Sequence, residues 1–156
     1  MGFQPVVLVH IIKEDKMTVS HLLISAIIMR ECSGDFTSTS MDGKAVGPMG
    51  IKMICLEDIN RFAGTHYVSA DRFDLRKSIE MFNLYVGHYA TEKRIGWRVE
   101  VMDKVRIWHG GPNGWNFYPT YRYWISVRNL FNGTCSEPER EAVQAIQRKV
   151  EEAQGE

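Results

Sequence analysis

Ala26-Ile27-Ile28-Met29-Arg30-Glu31-Cys32-Ser33-Gly34-Asp35, followed by Met41-Asp42-Gly43-Lys44-Ala45-Val46-Gly47-Pro48-Met49-Gly50-Ile51, is the stretch whose reading decides the fold. Thr18 or Ser20 can cap a helix that runs to about Cys32. Val19, Leu22, Leu23, Ala26 and Ile27 recur at steps of three and four, which is a helical period. Glu31 follows Ile24 by seven residues and Ile27 by four, so it falls on the apolar stripe. A charge there is costly unless it is paired. Either the helix frays and Glu31 stands in solvent, or the chain holds a buried acid. Ser33-Gly34 breaks the helix. The segment from Asp35 to Gly50 is rich in Ser, Thr, Gly and Asp, with Pro48 set against a regular helix. A small β-hairpin folding back over the acid is the expectation for it. Asp42 precedes Gly43, so on its own it reads as a turn-forming aspartate.

The remaining helices read outward from this centre. Ile54 to Phe62 suits a short helix ending near Gly64. Asp74 can cap a long helix to about Glu92, with Leu75, Ile79, Phe82, Val86 and Tyr89 as its stripe, and this one is expected at the centre of the core. Val99 to Trp108 and Tyr121 to Phe131 read as two more, the latter burying Trp124, Val127 and Phe131. Ser136-Glu137-Pro138-Glu139 is a capping box opening a C-terminal helix with Val143, Ile146 and Val150 inward. His109-Gly110-Gly111-Pro112-Asn113-Gly114 lacks the Lys-Ser/Thr ending of a phosphate loop and follows a helix, so close backbone approach to a ligand is its better use. Six aromatic residues between Trp115 and Trp124 could pack on sugar rings or fill a core.

The chain has 156 residues, sufficient for one domain with a real core. Residues 1–16 read as an N-terminal extension, 17–133 as the main domain and 134–156 as an accessory helix. Nineteen basic and nineteen acidic residues cancel, which gives no argument for nucleic acid as a partner. The apolar run from Val6 to Ile12 is too short to span a bilayer and lacks the features of a signal peptide, so no stable membrane insertion is expected. Cys32, Cys55 and Cys135 are expected as free thiols, although one disulfide of unassigned pairing is compatible with the count. Neither the cysteines nor the five histidines form a metal-binding pattern, and no cofactor is implied.

The two segments quoted first resemble the invertebrate-type lysozyme group and its prokaryotic relatives. Arg106-Ile107-Trp108-His109-Gly110-Gly111-Pro112-Asn113-Gly114, with Tyr123-Trp124 and Val127, looks like the second signature of the same group, and is similar to the Asn-Ala-Gly-Pro segment of lytic transglycosylases. The resemblance covers about Val19 to Phe131. It implies a lysozyme-like α+β fold, mostly helical, with a small β-hairpin beside a cleft. It also implies a muramidase that cleaves the β-1,4 linkage between N-acetylmuramic acid and N-acetylglucosamine in peptidoglycan. Glu31 matches the catalytic acid. Asp42, eleven residues on, matches the second carboxylate, with Asp35 as competitor. Ser33, Gly47, Pro48, His109 and Tyr123 are the expected substrate contacts. A periplasmic, extracellular or phage-delivered protein is implied, and the small number of cysteines points to a bacterial or phage relative. The chain departs from the group at Gly50, where Gln is usual, and at Trp108-His109, where His-Asn is usual. The alternatives are a lytic transglycosylase using Glu31 alone and a non-catalytic binding or structural protein.

Overall fold

Residues 23–28, Leu-Ile-Ser-Ala-Ile-Ile, are all buried. The first helix, α1 (residues 21–32), is therefore enclosed on every side rather than along one stripe. An uncharged run from Leu22 to Met29 permits this. Ser25 is its polar exception, and its hydroxyl donates to the His21 carbonyl at 2.6 Å. The computed structural model describes residues 21–155; the expected N-terminal segment and the caps Thr18 and Ser20 lie outside them.

Around α1 lie α2 (Met53–Ala63), α3 (Leu75–Tyr89), the single turn α4 (Glu92–Ile95), α5 (Val101–Gly110), α6 (Pro119–Phe131) and α7 (Glu137–Gln154). One apolar cluster joins Ile27 and Ile28 to Ile59 of α2, Ile79 and Met81 of α3, Val105 and Ile107 of α5, Val127 of α6 and Ile146 of α7. Each such side chain stabilises the fold by about 1.5–3 kcal/mol. The helix over 75–89, expected at the centre of the core, packs on α2, α5 and α7, and α1 shares that centre with it.

Local chemistry sets the helix ends. Gly64 closes α2 in the left-handed conformation. Asp74 accepts the Lys77 N–H and starts α3. That helix ends at Tyr89 instead of about Glu92, because Thr91 caps a separate turn through the Arg94 N–H. Pro119, suited to a first helical position, starts α6 two residues before Tyr121. Within α6, Val127 is buried, but Tyr123 and Leu130 take the inward places expected for Trp124 and Phe131. The Ser136–Glu139 capping box forms, and α7 packs on α3 and α6 through Val143, Ile146 and Val150.

The α+β expectation is wrong. About two-thirds of the described residues are helical, and among them there is no strand and hence no β-hairpin. Two isolated antiparallel bridges, Thr39 with Val46 and Val46 with Ile51, are the whole of the β pairing among the described residues. The reason lies in the turns. Gly34, Gly43, Gly47 and Gly50 all have positive φ, and the chain reverses repeatedly through Ser38 N–H to Asp35, Gly43 N–H to Ser40 and Gly50 N–H to Gly47. No run between them is long enough to pair as a strand.

This glycine-rich loop is fastened from beneath by Arg72, which is buried in the 3₁₀ turn Ser69–Phe73. Its guanidinium donates to the Ile51 carbonyl at 3.0 Å and to the Ser69 hydroxyl at 2.7 Å. Gly47 lies flat against the Arg72 carbonyl, where a side chain would collide. No helix among the described residues is long and apolar enough to cross a membrane.

Candidate active site

Glu31 stands in the last turn of α1, which ends at Cys32; Ser33, at φ 52°, turns the chain away. Its side chain is half-buried. On one side Tyr123 of α6, itself buried, donates its hydroxyl to Oε1 at 2.5 Å. On the other side lies the backbone of Gly50. A Cβ there would strike Oε2 and lie 2.9 Å from Cδ. His109 of α5 stacks face to face on the Tyr123 ring, with centroids 3.9 Å apart and planes 5° from parallel. Three elements distant in sequence thus converge on one carboxyl.

The electrostatics follow from this enclosure. Burial holds the Glu31 carboxyl above its ordinary pKa, outweighing the Tyr123 hydrogen bond and the positive charges of Arg30 and Lys52. The acid therefore keeps its proton to higher pH than a solvated glutamate. Burial, with Lys52 and Arg30 adding to it, holds His109 below the usual imidazole value, so the ring is neutral at neutral pH. Burial and the neighbouring Glu31 carboxylate push the Tyr123 phenol well upward, which keeps it a donor.

A cleft of about 600 Å³ opens beside this group, lined by Gly50 and His109 but not by Glu31 or Tyr123 themselves. Gly50 and His109 form its wall next to the acid, with Lys52, Ile54, Tyr85 and Trp108 beyond. Trp108 packs edge-on against Phe82 and Tyr85 and donates its indole N–H to the Met49 carbonyl at 3.2 Å, tying α5 to the glycine-rich loop. Gly110-Gly111-Pro112 lines the cleft as well. Arg94 clamps that corner by donating to the Pro112 carbonyl at 2.8 Å and the Tyr89 carbonyl at 3.0 Å. Gly114 instead serves packing, since its backbone lies on the Arg106 carbonyl. Cys55 also faces the cleft, but burial pushes its thiol to about 12, so it is no thiolate nucleophile at neutral pH. The thiols Cys32, Cys55 and Cys135 are all free.

The other expected site residues fall elsewhere. Asp42 is exposed in a turn, where Oδ1 accepts the Ser40 hydroxyl at 2.6 Å and the Lys44 N–H at 3.0 Å. These bonds hold its carboxyl below the usual range. Asp35 is similar, exposed and bonded by the Thr37 hydroxyl and N–H. Gly47 and Pro48 are buried behind the loop and do not line the cleft, and Ser33 is exposed beyond the helix end. His109 and Tyr123 are the two that join Glu31. Among the described residues no group of three His, Cys, Asp or Glu side chains is placed to hold a metal ion.

Gly50, Lys52, Trp108, Arg72 and Arg94 were not foreseen as site residues. Gly50 and Trp108 carried a signal, because both depart from the resembling group; Lys52, Arg72 and Arg94 carried none. Comparison of the chain with protein-family models, curated proteins and solved structures finds no match.

Proposed function

We propose that the chain is a lysozyme-type glycosidase that cleaves the β-1,4 linkage between N-acetylmuramic acid and N-acetylglucosamine in peptidoglycan, with Glu31 as general acid. The observation that carries this is the enclosed Glu31 carboxyl, held toward its protonated form beside an open cleft. A glycosidic oxygen leaves only when it is protonated, so the acid must hold a proton near the working pH. Glu31 passes that proton to the bridging oxygen. The C1–O bond breaks, and positive charge develops at the sugar carbon. The Tyr123 hydroxyl then stays on Oε1 and stabilises the new carboxylate, as do the charges of Arg30 and Lys52.

What captures the sugar carbon, losing its proton to the Glu31 carboxylate, separates two readings. In a muramidase it is water. In a lytic transglycosylase it is the muramic-acid C6 hydroxyl of the same sugar, which closes an anhydro ring. The second reading is favoured by Asp42, whose carboxylate is spent on a solvent-exposed turn.

The test is mass spectrometry of the products released from purified peptidoglycan by the protein and by Glu31→Gln. Reducing ends that vanish in the variant support the muramidase, and anhydro ends support the transglycosylase. No soluble product from several wall types would overturn the enzymatic reading and leave a protein that binds glycan without cleaving it.

A further inference from the structure

We propose that Lys52 binds a carboxylate of the substrate in the cleft beside Glu31, and so makes the site prefer an acidic amino-sugar strand to a neutral one. The inference rests on the glycosidase reading above and adds to it the group that is recognised. Lys52 follows Gly50, the residue seated on the Glu31 carboxyl, by two positions, and its exposed side chain lines the cleft that Gly50 and His109 also line. It forms no ion pair with any described residue. The other cation lining that cleft, Arg61, is engaged by Asp58. Among the described residues the cleft therefore presents one unpaired ammonium, two positions from the Gly50 that covers the acid.

The charges around the acid have one sign. Lys52 and Arg30 are the charged neighbours that act on Glu31, and the same two act on His109. The carboxylates lining the same cleft are Asp58, paired with Arg61, and the exposed Glu57, while Lys52 and Arg30 set positive charge beside Glu31. A polymer of N-acetylglucosamine alone carries no charge to answer it. Peptidoglycan does, through either of two sources: the lactyl carboxylate of muramic acid on strands whose peptides have been removed, or the carboxylates of the stem peptides. A substrate carboxylate on the Lys52 ammonium would form a charge-assisted hydrogen bond in a partly shielded cleft.

Lys52 also acts on Glu31 directly, so turnover alone would mix two effects. Binding is therefore measured by titration calorimetry in the Glu31→Gln background, at fixed ionic strength, against three ligands. These are N-acetylglucosamine oligomers, peptide-free glycan strands and strands carrying stem peptides. Adding Lys52→Gln is expected to weaken an acidic strand about tenfold more than the neutral oligomer, and Lys52→Arg is expected to recover most of the loss. A selective loss on peptide-free strands assigns the lactyl carboxylate, and one confined to peptide-bearing strands assigns the stem peptide. Equal losses on all three ligands, no loss, or no preference for an acidic strand in the Lys52 protein would each overturn the proposal. If the selective loss appears but the unmodified protein releases no product, the recognition stands and the glycosidase reading falls.

Discussion

Tyr123 donates its hydroxyl to the Glu31 carboxylate across 92 residues of chain, and His109 lies flat on one face of the same ring. This hydrogen bond favours the ionised form of Glu31, against the larger effect of burial. Tyr123→Phe removes it and leaves Glu31 with a still higher pKa. The basic limb of the kcat/KM profile is expected to move to higher pH. Turnover at the optimum should fall about ten- to a hundredfold, since the carboxylate formed after proton transfer loses its donor. A pH–rate series on both proteins decides it, and a basic limb that stays put or moves down would sink the assignment.

Glu31→Gln keeps an acceptor for Tyr123 and removes the proton to be given. Turnover is expected to drop about 10²–10⁴-fold, the usual reach of a general acid. The same variant has a signature in stability. Glu31 has a folded pKa raised above its ordinary value of 4.5. Its contribution is therefore fully present below that value and is lost as pH rises through the raised one, because the ionised form must then be buried. The Gln variant has no such loss. Chemical denaturation across pH should show the variant gaining on the parent as pH rises from the ordinary glutamate range upward. A gap that stays constant with pH would contradict the burial of Glu31.

Gly50 is seated where any side chain would meet the acid. Its φ is +62° and a Cβ would collide with Glu31 Oε2. Gly50→Ala combines that clash with a left-handed backbone and is expected to cost about 1–3 kcal/mol of stability. It should also lower kcat, since the carboxyl must shift. Gly43→Ala, also at positive φ but with open space around it, is the control. Its stability falls by the backbone strain alone, with turnover kept. Equal turnover in the two variants would remove Gly50 from the site.

How much of this was legible follows from the kind of signal each residue carries. The helices could be read because period and caps are local: Asp74, Ser136 and Gly64 mark ends that the fold uses. The spacing of Glu31 left a solvated and a buried acid both open, and only the resemblance to the lysozyme group favoured the buried one. The absence of a hairpin was harder to see. Alternating small polar residues in 35–50 suit a strand or a chain of turns equally, and the glycine conformations that decide between them appear only when Gly47 rests on Arg72 and Gly50 on Glu31. Arg72 and Arg94 act through contacts at long separation, with the Ile51 and Pro112 carbonyls. A charged residue in a polar stretch gives no sign that it faces a cleft or lies buried.

Arg72 shows what such a residue holds. Its guanidinium satisfies the Ile51 carbonyl and the Ser69 hydroxyl from within the core. Arg72→Met keeps the bulk but removes both bonds; the Ile51 carbonyl retains the Val46 N–H and the exposed Ser69 hydroxyl turns to water, so each bond lost costs about 0.5–1.5 kcal/mol. The midpoint of thermal unfolding should fall. Turnover in the folded fraction should fall with it, because Gly50 and Lys52 flank the Ile51 that Arg72 anchors. A variant that unfolds earlier yet turns over normally would show that Arg72 supports the fold without placing the cleft wall.

Asp42 poses the sharpest test of the two-carboxylate mechanism. Its Oδ1 is held by Ser40 and Lys44 in an exposed turn, so it serves the loop in the way an asparagine could. Asp42→Asn keeps both bonds and deletes only the charge. Stability is expected to change by less than about 0.5 kcal/mol, as for other surface sites. Because the proton comes from Glu31 and the charges acting on Glu31 are Arg30 and Lys52, turnover should stay within about threefold of the parent, a difference well under 1 kcal/mol in the barrier. Product analysis run beside the rates makes the outcome specific. Retained turnover with anhydro ends fits an acid acting alone. A loss beyond about a hundredfold, confined to reducing-end products, would mean that substrate binding carries the turn at 40–44 inward until the two carboxylates stand within about 5–9.5 Å, the range over which a glycosidase pair works.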